Sequence, residues 1–408
     1  MNFGEIPSLN QQIIFVETKR YITFVDKNGE LVKKMNPIQM VDLTTQYQRL
    51  RNEIDQAVLD VISSGQYING EAVKKLAIEL AAYTGAKYIV PCANGTDALR
   101  IALTALDLHP GDEVIVPAFT YAAAAEAAAL LRLIPVAVDV DSHTFNIDVN
   151  QIEEAISPKT KAIIPVHLFG QTADMEPLMQ IARKHRLFVI EDNAQSIGSV
   201  YTFSDGTKKQ AGTIGDVGIL SFFPTKNLGC FGDGGALMTD DKALADKMRM
   251  ITIHGQSQKY VHQIVGCNSR LDTLQAAILL VKLAHLDDFV QSRRKLASEY
   301  DTGLKMLSNH FDIPYCIPES THVYNQYTLI VKENRDDLQQ YLKEKGIPTT
   351  VYYPFPLHYQ PAFKNLVRIA GDLSASEKLC RSALSLPMHT EADEEQTEYI
   401  INQLIQYE

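Results

Sequence analysis

The strongest constraint on this 408-residue chain is an alternation. Short runs with an unbroken apolar centre recur along it: KYIVPCA (87–93), DEVIVPA (112–118), IPVAVDV (134–140), KAIIPVHLF (161–169) and LFVIED (187–192). Between them lie segments with helical spacing, such as GTDALRIALTALDL and EPLMQIARKH. A strand with one wet face alternates polar and apolar residues. These do not, so both faces are covered, and the expected fold is α/β with a mainly parallel sheet. Ligands of such sheets sit beyond the carboxyl ends of the strands. The polar residues just past those ends are therefore the candidates for chemistry.

After about residue 218 the pattern changes. A strand GILSFF leads to Lys226, and GALMTDD returns. A long helical region at about 270–307 follows. Then come the strand NQYTLIV, the helix RDDLQQYLKEKG, the segment IPTTVYYPFPLHYQPAF and a terminal helix near 391–407. We expect a large unit at 35–290 and a smaller α+β unit at 291–408. Residues 13–32 read as two strands joined by a turn at Asn28-Gly29, which makes 1–34 an appendage.

Composition narrows the function classes. An apolar fraction of 46% supports a sizeable core. The net charge is 38 − 49 = −11, with no Lys/Arg cluster, so nucleic acid is not an expected partner. Five scattered cysteines without a C-x-x-C pair point to reduced thiols, and the N-terminus lacks a secretion pattern. A cytoplasmic protein is expected. Glu126 and Lys282 interrupt the most apolar stretches, which fall short of a membrane span. No metal site is expected.

Four polar points fall at strand ends or loops. ANGTDALR places Gly95, Thr96 and Asp97 at a helix start, where N–H groups can meet a phosphate; an ordinary helix cap reads the same way. Asp192 ends the strand LFVIED, and could equally be a turn cap. Lys226 follows an apolar strand and precedes glycines. That setting suits a lysine that bonds a carbonyl, although most lysines are simply solvated. Asn268 and Arg270 precede or open a helix in NSRLDTLQAAIL, and capping would explain them. Together the first three make the minimal kit for pyridoxal phosphate: a phosphate cradle, an acid for the ring nitrogen and an amine for the aldehyde. No dinucleotide or P-loop glycine motif competes.

The chain resembles the nucleotide-sugar aminotransferases of the DegT/DnrJ/EryC1/StrS family, which have the aspartate aminotransferase (PLP fold type I) architecture. The resemblance runs from about Met40 to the C-terminus through QYINGEAV, ANGTDAL, GDEVIVPAFTY, AVDVDSHTFNID, IIPVHLFGQTADM, VIEDNAQSIG, SFFPTKNLGCFGDGGA, NSRLDTLQAAIL and YYPFPLHYQPAF. It implies that Lys226 bonds the cofactor aldehyde and moves the proton, and that Asp192 pairs with the ring nitrogen. Gln195 would lie near the ring hydroxyl, and Tyr121 would stack on the ring. Gly95, Thr96, Asp97 and Ser221 would hold the phosphate. Asn268 would reach the neighbouring subunit's phosphate, making a homodimer with shared sites, and Arg270 would enter the partner's pocket.

Two residues depart from the family pattern: Ile197 and Tyr352 stand where relatives often carry histidine. Both, with Tyr353 beside the second, are expected on the sugar side of the pocket. The motif combination looks most like enzymes that aminate C3 of a UDP-linked 2-acetamido-3-oxo-glucuronate for surface polysaccharide, with glutamate as donor. A dTDP-3-keto-6-deoxyhexose 3-aminotransferase is the alternative. A catalytically silent regulatory or scaffold protein is the alternative from another class.

Overall fold

The computed structural model describes residues 14–18, 21–25 and 31–407. The expected sheet is present with eight strands. Their order is Arg368–Ile369, Ile134–Val138, Glu113–Pro117, Thr160–Ile163, Phe188–Asp192, Val217–Ser221, Gly235–Thr239 and Tyr88–Cys92. Neighbours run parallel except around Gly235–Thr239, which is antiparallel to both of its partners.

The all-apolar strands are covered on both sides, as their composition requires. Val114 and Val116 face one core with Leu99, Ala102 and Leu237. Ile115 points the other way, among Val136, Ile163, Met175 and Leu178. This is the two-residue period of a strand acting on a sequence with no polar face. Each such aliphatic side chain, fully buried, stabilises the fold by about 1.5–3 kcal/mol.

The C-terminal part forms a second core. Strands Phe311–Asp312, Tyr327–Val331 and Ala383–Leu386 make an antiparallel sheet. Leu296 and Tyr300 of the helix Leu286–Leu304, and Ile400 and Leu404 of the helix Glu394–Ile405, pack with it. Met35 and Ile38 join this core, although they lie far away in sequence. Arg293 is 3% exposed, and its guanidinium donates to the backbone carbonyls of Tyr324, Asn325 and Met388.

Two expectations change. The helical region near 270–307 is two helices, Thr273–Ala284 and Leu286–Leu304, with His285 between them. The appendage has three antiparallel strands rather than two: Ile14–Thr18, Tyr21–Val25 and Leu31–Met35. The stretch VETKRYI contains no Gly, Pro, Asn, Asp or Ser, so the sequence carries no break signal there. The turn expected at Asn28-Gly29 lies outside the described residues. Among the described residues no helix is long and apolar enough to cross a membrane, and all five cysteines are free.

Candidate active site

A cavity of about 660 Å³ opens beyond the carboxyl ends of the large sheet's strands. Gly95, Thr96, Tyr121, Asp192, Gln195, Ser221, Lys226, Tyr352 and Tyr353 line it. A second cleft of about 500 Å³ holds Asp141, Asp148 and Asp174. Their carboxylates are spent on nearby amides and on the Tyr201 hydroxyl, so that cleft offers little free chemistry. Among the described residues, no group of three or more His, Cys, Asp or Glu could hold a metal ion.

One side of the cavity begins at the helix Gly95–Ala105. A Cβ on Gly95 would lie 2.9 Å from Ser221 Cβ, so only glycine lets this helix start sit against the end of Val217–Ser221. The first-turn N–H groups of Gly95 and Thr96 have no carbonyl behind them in the helix, which makes them anion donors. Asp97 departs from expectation. Its N–H is held by Asn94 Oδ1 at 2.8 Å, and its carboxylate accepts from Arg100 at 2.9 Å. Capping orients Asp97 within its own helix, and it does not line the cavity.

Lys226 closes a turn, with its N–H donating to Phe223 O at 2.9 Å. Next to it, buried Asn227 donates its side-chain amide to Val323 O at 3.1 Å and pins the loop. Burial brings the Lys226 ammonium down to about 8, while the charge of Asp192 works against that shift. Asp192 is 7% exposed, and burial raises its carboxyl above the usual range despite the Ala194 N–H, which donates to Oδ1 at 3.1 Å. An amine and an acid, each uncomfortable when charged, thus share one cavity.

A buried pair that no sequence motif marks lies beneath this site. Glu191 and His167 are wholly buried, with Glu191 Oε2 at 2.8 Å from His167 Nε2. His167 Nδ1 accepts from Ala173 N–H, so its proton sits on Nε2 and is donated to Glu191. The same carboxylate accepts from the N–H groups of Gly212, Ile214 and Gly215. It ties three segments together directly behind Asp192. Partners 24 residues apart leave no local motif to read.

The other side carries Gln195, Tyr352 and Tyr353. Gln195 Oε1 accepts from Phe169 N–H at 2.7 Å, and its Nε2 donates to Tyr353 OH at 3.3 Å. The Tyr121 ring lies 6.2 Å from that of Tyr353 and is 61% exposed, open to a ligand at the mouth. Ile197 corrects the sequence expectation. It is 5% exposed and packs in the core with Leu220, Phe222 and Val290, because an apolar side chain is better placed there than in a wet pocket. Asn268 is exposed and Arg270 half-buried, and neither lines the cavity of this chain.

The residues present fit pyridoxal phosphate. Free helix-start amides and the Ser221 hydroxyl suit its phosphate. The buried acid suits a protonated ring nitrogen, and the amine with its lowered pKa suits the aldehyde. Fold and site define a pyridoxal-phosphate-dependent aminotransferase. The model of the DegT/DnrJ/EryC1/StrS aminotransferase family matches residues 48–405, and the chain belongs to that family.

Similar proteins carry names of two kinds, regulatory and enzymatic. The "pleiotropic regulatory protein" of Geobacillus stearothermophilus is 47% identical, covering 91% of this chain and 98% of that protein. The UDP-2-acetamido-2-deoxy-3-oxo-D-glucuronate aminotransferase of Pseudomonas aeruginosa is 46% identical, covering 87% and 96%. The solved structure of NtdA from Bacillus subtilis with bound cofactor PMP is 33% identical, with a TM-score of 0.83, covering 94% of this chain and 86% of that one.

Proposed function

We propose that this chain aminates C3 of UDP-2-acetamido-2-deoxy-3-oxo-glucuronate, for surface polysaccharide assembly. The amine comes from glutamate, and the enzyme is a homodimer with shared sites. The chemistry rests on one observation: Lys226, its pKa lowered to about 8, faces the same cavity as buried Asp192. The sugar rests on the likeness to the Pseudomonas enzyme.

In this reading pyridoxal phosphate supplies an aldehyde that takes up the amine and a ring that withdraws electrons from the reacting carbon. The Gly95 and Thr96 amides and the Ser221 hydroxyl hold the phosphate. Asp192 keeps the proton on the ring nitrogen. Lys226 binds the aldehyde and, once released, carries the proton to and from the reacting carbon; a pKa about one unit above neutrality lets it do both. Asn268 and Arg270, which stand away from their own chain's cavity, serve the neighbouring subunit. There Arg270 pairs with the sugar carboxylate, since a guanidinium matches a carboxylate with two parallel hydrogen bonds.

Single-turnover mixing of the pyridoxamine form with keto-sugar nucleotides tests this. The reading requires fastest amination of the UDP-linked uronate. Faster reaction with a dTDP-linked 3-keto-6-deoxyhexose would replace the assignment. The Geobacillus relative's name favours a regulatory role as the second reading; a cofactor-loaded protein that aminates no sugar would support that role instead.

A further inference from the structure

We propose that Gln326, working beside Tyr353, reads the carbonyl of the sugar's 2-acetamido group, and so sets preference for a 2-acetamido over a 2-hydroxy substrate. The inference rests on the sugar assignment above.

Gln326 lies just before the strand Tyr327–Val331 of the second sheet, yet it lines the cavity of the first. Its placement is over-determined. The Gln326 N–H donates to Phe169 O at 3.2 Å, and the Phe169 N–H donates to Gln195 Oε1. One residue, buried and held at φ 59°, therefore anchors both glutamines side by side. From behind, the Arg293 guanidinium grips the carbonyls of Tyr324 and Asn325.

The side chain is oriented as well as placed. Asn325 Nδ2 donates to Gln326 Oε1 at 2.6 Å. That contact occupies the oxygen and leaves Nε2 with no acceptor among the described residues. Gln195 differs, because both ends of its amide are engaged by Phe169 and Tyr353. Tyr353 accepts from Gln195 through its oxygen, which leaves its own O–H to donate. This wall thus offers two neutral donors that lack protein acceptors.

Their chemistry selects the ligand group. The cavity's lining holds one cation, Lys226, which the aldehyde chemistry uses. A carboxylate on the Gln326 wall would lose its water shell without a countercharge there. An amide carbonyl is a neutral acceptor and matches neutral donors. Behind Gln326 lies a void of only about 10 Å³, shared with Phe145, Phe169 and Thr328. It admits at most a single water, so the acceptor must stop at the wall.

The test runs amine exchange in reverse on two stable UDP-linked 3-amino sugars that differ only in a 2-acetamido or a 2-hydroxyl group. The cofactor absorbance of wild type, Gln326→Glu and Gln326→Leu is followed in single turnovers. Gln326→Glu keeps the side-chain length and the oxygen that Asn325 contacts, but removes the donors. Retained cofactor absorbance certifies a folded site. The expected result is a loss on the acetamido sugar that exceeds the loss on the hydroxy sugar by about 10- to 100-fold in both variants. Equal losses, or an acetamido preference that survives both substitutions, would overturn the role of Gln326 alone. A wild type with no acetamido preference would overturn the sugar assignment, and this inference with it.

Discussion

The two sides of the cavity are built differently. On one side, Asp192 and Ser221 end neighbouring parallel strands, and Gly95 opens a helix packed so closely that a Cβ would clash. On the other, Tyr352, Tyr353 and Gln326 come from segments associated with the second core. Strand tips in a sheet buried on both faces cannot shift without disturbing two hydrophobic cores. The loop-borne side meets the first through the Phe169 backbone and Gln195, and through the packing of Tyr352 and Tyr353 against Phe119, Phe145 and Phe169. In the proposed reading the chemistry falls to the strand-tip side and sugar recognition to the loop-borne side, so substitutions on the two sides should alter the two properties separately.

The largest effect concerns a contribution from a second chain. In the proposed dimer, Lys226→Ala and Asn268→Ala chains are each inactive, yet a mixed dimer rebuilds one intact site. Activity should rise from background when the two are mixed and exchanged. Silence from verified heterodimers would remove Asn268 from the shared site and leave the cavity complete within one chain.

Asp192→Asn comes next. It preserves shape and removes the charge that, in the proposed reading, fixes the ring proton. Both half-reactions should slow by about 100- to 1000-fold, the usual size of losing one preorganised electrostatic partner. A loss confined to the sugar half-reaction would mean that Asp192 belongs functionally to the recognition side, and the division fails.

Gly95→Ala probes the rigid side through packing. The added methyl would meet Ser221 Cβ at 2.9 Å, and overpacking of this kind costs about 1–3 kcal/mol. Thermal unfolding should show that loss together with weaker cofactor binding. Unchanged stability would show that the helix start can retreat, and that this side is softer than its contacts imply.

The smallest effect is a pH dependence. Without cofactor, burial holds Lys226 at about 8, below the ordinary 10.5. Between those values the folded chain binds fewer protons than the unfolded chain, so stability rises with pH across that window. Relative to Lys226→Met, cofactor-free wild type should gain stability from pH 8 towards pH 10. A flat difference would place the amine in ordinary solvent.

The same division governs what could be read from sequence. The parallel sheet was legible because its strands have no polar face. Lys226, Asp192 and Gly95 were legible because strand-end position and glycine context are local signals. Residues whose roles depend on distant partners were not. Glu191 reads as one more residue of an apolar strand until His167 and three amides converge on it. Gln326 looks like the start of the strand NQYTLIV, and only the fold brings it beside Gln195. Ile197 looked like a pocket residue from its place in EDNAQSIG, yet its side chain turns into the core. The helix Glu71–Thr84 escaped notice although Leu76 and Leu80 mark its buried face and Gly85 caps it.

The central claim is that Lys226 is the amine that bonds the cofactor. Borohydride reduction of the cofactor-loaded wild type, followed by peptide mapping, tests it most directly. The label should fall on the peptide containing Lys226 and vanish, with the cofactor's protein-linked absorbance, in Lys226→Ala. A label on any other lysine of the wild type, or one retained in Lys226→Ala, would contradict the account.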